Sequence, residues 1–177
     1  VHEHPSIFAK SWWCCIHGAI CAGVLALLST IGHAPFLFPA IGGTIFTISW
    51  APRSPAASPR NVVLGHTIAA CVGWLSVQVF RYDPPGGVLV YSSWTQIGAV
   101  SCAMGVASAL MILFRSPHGP AGATTLIVAS GLMPHLRQLP IILGGAVGVC
   151  IVAWCAHRIR GEPYPLWAAH HARETAS

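Results

Sequence analysis

Four stretches of this chain, 11–31, 62–80, 92–114 and 139–157, contain no Asp, Glu, Lys or Arg. Each is close to the roughly 20 apolar residues that a helix needs to cross a bilayer core. No water reaches such a run in lipid, so its peptide groups must bond within the segment, which leaves the helix as the available form. Two shorter apolar segments, 35–50 and 121–133, stand between them. The second of the six carries Pro39, Gly42 and Gly43, and the fifth is headed by Gly119, Pro120 and Gly122.

Composition excludes the soluble alternative. Charged residues make up 7% of the chain, against about 25% in ordinary soluble proteins. The mean hydropathy is +0.66. Nine Lys and Arg and four acids cannot cover the surface of a soluble domain this size. The net charge of +5 is spread one or two residues at a time between apolar runs. That pattern is a topology signal and not a nucleic-acid-binding face. The expected partner is therefore the lipid bilayer, with no nucleic acid and no cofactor.

The expected organisation is a polar tail over 1–10, a transmembrane domain over 11–158 and a second polar tail over 159–177. The first tail carries Pro5 and does not read as a signal peptide. The chain opens on Val1, as expected of a fragment or of a chain that has lost a targeting segment. The seven cysteines lie inside apolar runs and form no CxxC pair, so they read as small buried residues. Neither a disulfide framework nor a metal site is expected.

The two short segments resemble each other. Pro39-Ala40-Ile41-Gly42-Gly43-Thr44-Ile45 reads against Pro120-Ala121-Gly122-Ala123-Thr124-Thr125-Leu126. Each is the middle element of a three-segment half. The fold expected is thus all-α, a polytopic membrane bundle of two pseudo-repeated halves whose second and fifth segments are short or broken. A weak repeat with interruptions at matching positions is the pattern of transporter binding sites. Small residues that merely let helices pack closely would leave the same trace. The cations choose between topologies. With six crossings, Lys10, Arg53, Arg60, Arg115, Arg158, Arg160 and Arg173 share one side, and Arg81 and Arg137 the other. If the short segments dip in and return, the split is nearly even. The positive-inside rule therefore favours six crossings with both termini inside. Three crossings per half would make the repeat an inverted one.

The polar residues that could do chemistry cluster in two stretches. In the first, Pro59 opens a helix, Arg60 and Asn61 occupy its first turn, and His66 lies deeper in an apolar span. Ionisable residues inside a membrane are costly and point to function. An Arg beside a helix N-terminus suits an anion. A loop charge and a packing histidine are the plainer readings of the same residues. In the second stretch, His118, Gly119 and Pro120 lead into Gly122, Ala123 and Thr124. Amides at that helix start are expected to be free and to face an anion. A tight surface turn is the alternative. The expected anion-binding set is Thr44, Arg60, Asn61, His66, His118, Gly122, Ala123 and Thr124. His17 with His66 could also clamp a haem between helices. His33, His135 and His157 sit at segment ends, where histidine is unremarkable. Asp83 begins a Pro-Pro-Gly-Gly turn, read as structural. No enzyme is expected: all four acids lie outside the apolar runs, and no nucleophile, phosphate-loop or zinc-protease pattern occurs.

At these two stretches the chain resembles the HPP family of integral membrane proteins. The likeness runs from about Gly42 to Leu126. It rests on Gly42-Gly43-Thr44, on the Ser-Pro-x-x-x-Pro-Arg-Asn-x-x-x-Gly-His run from Ser54 to His66, and on the family's namesake motif at His118–Thr125. Gly119 stands where that motif has its first proline, which loosens a turn that Pro would hold. The resemblance implies a transporter, since family members in plastids and cyanobacteria are associated with nitrite transport. The family is often described as having four membrane helices. The expectation is a transporter or channel for a small inorganic anion, nitrite first. A structural accessory subunit of a larger membrane complex is the alternative, and a haem-binding electron carrier a more distant one. Homo-oligomers or membrane-complex partners are compatible with both of the first two.

Overall fold

The structure is a computed structural model that describes residues 6–81, 93–133 and 135–169. Six α-helices occupy the described residues: α1 (Ile7–Ile31), α2 (Pro39–Trp50), α3 (Pro59–Val79), α4 (Trp94–Leu113), α5 (Gly119–Ala129) and α6 (Leu139–Arg160). The Asp83 turn and Arg173 lie outside the described residues.

Three of the long helices start on a serine whose hydroxyl accepts an otherwise orphaned amide. Ser6 takes the amide of Ala9, Ser58 that of Asn61 and Ser93 that of Gln96. Left-handed residues turn the chain after three helices, His33, Arg81 and Arg115, and Gly161 does so after α6. α2 and α5 instead begin with no side-chain cap, with Pro39 and Pro120 in their first turns.

Four helices are long and apolar enough to cross a membrane: α1, α3, α4 and α6 with its preceding turn. α2 and α5 have 12 and 11 residues, so each spans only about 16–18 Å at 1.5 Å per residue. The outer faces fit a lipid solvent. On α4, Ala99, Ala103, Ala107 and Met111 form a buried stripe at four-residue spacing, while Ile97, Val106, Ile112 and Leu113 stay exposed. On α1 only His17, Cys21 and Leu25 are buried.

Inter-helix contacts set the direction of every segment. Lys10 lies over Trp50, Ser49 bonds His17, and Leu37 N–H donates to Ser29 Oγ, so α1 and α2 are antiparallel. Gly98 abuts Phe80 while Arg60 reaches the carbonyls of Phe114 and Arg115, so α3 and α4 are antiparallel. Gly65 faces His118 and Gly73 faces Val128, so α5 runs parallel to α3. Trp13 meets His157 and Leu25 meets Gly148, so α6 opposes α1. The six segments thus alternate in direction. Lys10, Arg53, Arg60, Arg115, Arg158 and Arg160 fall at the end that holds both described termini, and Arg81 and Arg137 at the other. This alternation is what six traverses require, with the non-helical stretches 35–38 and 116–118 leading into the two short helices.

Several boundaries differ from expectation. α1 begins at Ile7, so residues 7–10 are helical and not a tail, because Ser6 caps them. The C-terminal stretch also folds back. Tyr164 Oη donates to the Ala57 carbonyl (2.8 Å), and Arg60 N–H donates to the Trp167 carbonyl (2.8 Å). Burial pushes the Tyr164 phenol's pKa upward, so it remains a donor to that carbonyl.

Candidate functional site

The N-termini of α2 and α5 meet side by side inside the bundle. Gly43 allows this approach: a Cβ there would lie 3.2 Å from Pro120 Cβ. α3 passes both starts, and Gly65 leaves room where a Cβ would come within 2.9 Å of His118 Cβ. Thr44, His66, His118 and Thr124 converge at this crossing from α2, α3, the α5 cap and α5, and each is at most 1% exposed.

Their hydrogen bonds form one continuous chain. The Ala56 carbonyl can only accept, so His118 Nδ1 carries a proton and donates to it (2.7 Å). In a neutral imidazole Nε2 then only accepts. The Thr44 hydroxyl therefore donates to His118 Nε2 (2.9 Å). Its oxygen is left to accept from His66 Nε2–H, also at 2.9 Å. His66 Nδ1 must then accept, and the Thr124 hydroxyl supplies the donor (2.8 Å). The competing contact from Thr44 to the Ala40 carbonyl is 3.5 Å, at the limit of a hydrogen bond. With neutral rings, one backbone carbonyl thus sets the proton order of four side chains.

Thr44 and Thr124 each lie six residues past the N-cap of their helix, Phe38 and His118. With the prolines of the two segments aligned, Thr44 stands against Thr125. The helix starts correct that register, because Pro39 is the first residue of α2 and Pro120 the second of α5. His66 is bracketed by the two matching threonines. Its ring also packs edge-on against both N-cap residues, with centroids 6.1 Å from Phe38 and 5.1 Å from His118.

Arg60 and Asn61 stand apart, at the end that holds the termini. The Arg60 guanidinium donates to the carbonyls of Arg115 (2.8 Å) and Phe114 (3.0 Å) and to Asn61 Oδ1 (3.0 Å). It therefore satisfies carbonyls left open at the C-terminus of α4. Arg60, Asn61, Arg115 and Ser58 line a cavity of about 590 Å³. Pro55 and Pro117, which line the same cavity, neighbour Ala56 and His118 in the chain, so this basic vestibule adjoins the buried node.

Gly122 and Ala123 do not join the node. Gly122 packs toward Met104 of α4, and Ala123 is exposed on the outer face. Helix α5 starts at Gly119, so the amides of 122–124 fall where intrahelical acceptors are in reach instead of standing free at a helix start.

A second buried cluster was missed. His17 Nδ1 lies 2.6 Å from Ser49 Oγ, and Cys21 Sγ lies 3.5 Å from His17 Nε2. The His157 ring is 5.0 Å from that of His17 and stacks on Tyr164 at 5.1 Å. His157 Nδ1–H donates to the Ala153 carbonyl (2.8 Å), which leaves Nε2 an acceptor with no partner among the described residues, where Trp13 Nε1–H also has none. His157 lies in the last turn of α6, as expected, but is fully buried. The stripe Ala146, Val149/Cys150, Ala153, His157 carried that information at helical spacing. His17 and His66 belong to different clusters, and each ring is engaged by its own neighbours, so they do not face a shared gap for haem. Among the described residues no group of three or more His, Cys, Asp or Glu could hold a metal ion.

Comparisons with known proteins agree with this architecture. The family model for the HPP transmembrane region matches residues 3–165. Two curated transmembrane proteins of Dictyostelium discoideum are similar. One is 32% identical over 123 residues, covering 66% of this chain and 39% of the relative. The other is 38% identical over 94 residues, covering 52% of this chain and 27% of the relative. The chain thus spans well under half the length of these relatives. No solved structure matches it. Residues 3–165 take in all six helices and both histidine clusters, and the chain is an integral membrane protein belonging to the HPP transmembrane-region family.

Proposed function

We propose that the chain moves a small inorganic anion across a membrane, with nitrite the leading substrate, and that it performs no enzymatic chemistry. The observation that carries this reading is the meeting of two broken helices at a buried polar chain beside a vestibule lined by Arg60 and Arg115. Polar groups buried in a membrane bundle are costly and mark pathways. Broken helices at corresponding places in two halves are the mark of transporter sites. Among the described residues the vestibule carries cationic charge without an acidic lining residue, which favours anions at the entrance.

On this reading the two halves are an inverted repeat, α1–α3 and α4–α6, with the basic end inside. Matching positions support it. Thr44 and Thr124 are equivalent by helix start. Gly65 and Gly145, each seven residues past the N-cap of α3 and α6, receive the N-cap of the short helix from the opposite half. Gly65 faces His118, and Gly145 faces the Phe36 carbonyl first and the Phe38 ring beside it. Arg60 holds the mouth and supplies charge, and His66 supplies polarity at the crossing.

The full pairing of the node also suits a static subunit of a larger complex. Liposome uptake of nitrite, nitrate and formate by the purified chain separates the two. Nitrite-selective uptake that falls at least ten-fold in His66→Ala and Arg60→Ala supports transport at this site. Folded wild-type protein that moves none of the three anions sinks it.

A further inference from the structure

A second cavity, about 350 Å³, sits where α1, α2 and α6 come together at the end that holds the termini. Lys10, Arg53 and Arg160 line it from α1, the turn after α2 and the end of α6. Its one acid, Glu162, is 3.2 Å from Arg160 and is spent on it. Lys10 and Arg53 have no carboxylate partner among the described residues. Two of the cations are held by aromatic faces instead: Arg160 lies 4.3 Å from the Trp13 ring centre, and Lys10 5.5 Å from that of Trp50. Aromatic faces position a cation without neutralising it. Ser54 adds a hydroxyl to the lining, and Trp13, Trp50, Ala51 and Pro52 form its apolar walls.

We propose that this cavity is an anion site for a phosphate group, separate from the node at Thr44 and His66. Two cations without a carboxylate partner among the described residues, and a third shared with Glu162, match a doubly charged tetrahedral oxyanion better than a single small monoanion. Arg offers a fork and Lys a point charge, the usual pair for phosphate. The volume lies within the range of small-ligand pockets. The phosphate is either the free ion or the headgroup of an anionic lipid at the membrane surface, and the two sources are separable by experiment.

The full chain in neutral detergent would be titrated with inorganic phosphate by calorimetry. Lys10→Gln and Arg53→Gln should each weaken binding at least ten-fold, Arg53→Lys should recover most of it, and Arg137→Gln, at the far end, should match wild type. In parallel, native mass spectrometry would follow retention of phosphatidic acid against phosphatidylcholine. Phosphate binding lost in the two variants assigns the free ion. Retention of phosphatidic acid alone, lost in the same variants, assigns the headgroup. If Lys10→Gln and Arg53→Gln equal wild type for both probes, with unchanged melting temperatures, the site does not exist. The readout needs no transport, so failure of the nitrite reading leaves this test intact.

Discussion

Where α2, α3 and α5 cross, both ring nitrogens of His66 and of His118 have partners at 2.9 Å or less, and one carbonyl dictates the order of the protons. Between α1, α2 and α6 the materials are similar and the outcome differs. Ser49 can give its proton to the Ile45 carbonyl (2.7 Å) or to His17, so His17 has two usable tautomers, and His157 Nε2 ends without a donor. Both clusters rest on α2, through Thr44 and Ser49 five residues apart. The difference comes from the neighbours. The first node draws hydroxyls from two broken helices. In the second, His157 turns back to its own helix and its other neighbours are aromatic rings. A buried polar group without a partner costs about 1–3 kcal/mol, so the first node specifies one arrangement and the second tolerates several.

The largest effect should come from cutting the first node in its middle. Thr44→Val keeps the shape and strands His66 Nε2–H and the His118 Nε2 lone pair. A loss of about 2–4 kcal/mol is expected, and Thr44→Ser should restore all but about 1 kcal/mol. Thermal unfolding in detergent checks this, and a Thr44→Val protein as stable as wild type would erase the distinction between the clusters.

Next comes the packing that lets the node form. Gly65→Ala places a methyl group 2.9 Å from His118 Cβ, an overpacking cost of about 1–3 kcal/mol. Gly105→Ala, with nothing within 4 Å, should instead stabilise by about 0.5–1 kcal/mol through helix propensity. Opposite signs for these two substitutions, read by the same melting experiment, would tie the close approach to the node.

The second cluster should respond weakly. His157→Phe removes the unpaired acceptor, keeps the stacking on Tyr164 and should shift stability by less than about 1 kcal/mol, whereas His118→Phe should cost about 2 kcal/mol or more. Equal losses would mean that His157 Nε2 has a partner after all, such as a buried water. The smallest change is Gly119→Pro. Gly119 is the first residue of α5, where a Cβ meets nothing within 4 Å. Proline there should add roughly 0.4–1 kcal/mol by restricting the unfolded chain.

The sequence was enough for the solvent, the six segments and much of the site's membership. Charge-free runs leave lipid as the medium, and the cation count anticipated the alternation of the helices. Thr44, His66, His118 and Thr124 were legible because polar residues in apolar runs stand out. Gly122 and Ala123 stand outside the node because α5 starts at Gly119, two residues before the expected 121, and in a helix that displacement rotates a residue by about 200°. Arg60 was legible as important, but its engagement with the α4 carbonyls depends on residues 54 and 55 positions away.

What the sequence alone determined was therefore a matter of medium and period: which segments are helical, and which faces cannot bear water. Only the tertiary structure decided which histidines are paired. The Ala56 carbonyl that orders the first node and the missing donor at His157 both arise from contacts between segments distant in the chain. Hydrogen bonds are short-ranged and directional, so no periodicity along the chain encodes where such partners will meet.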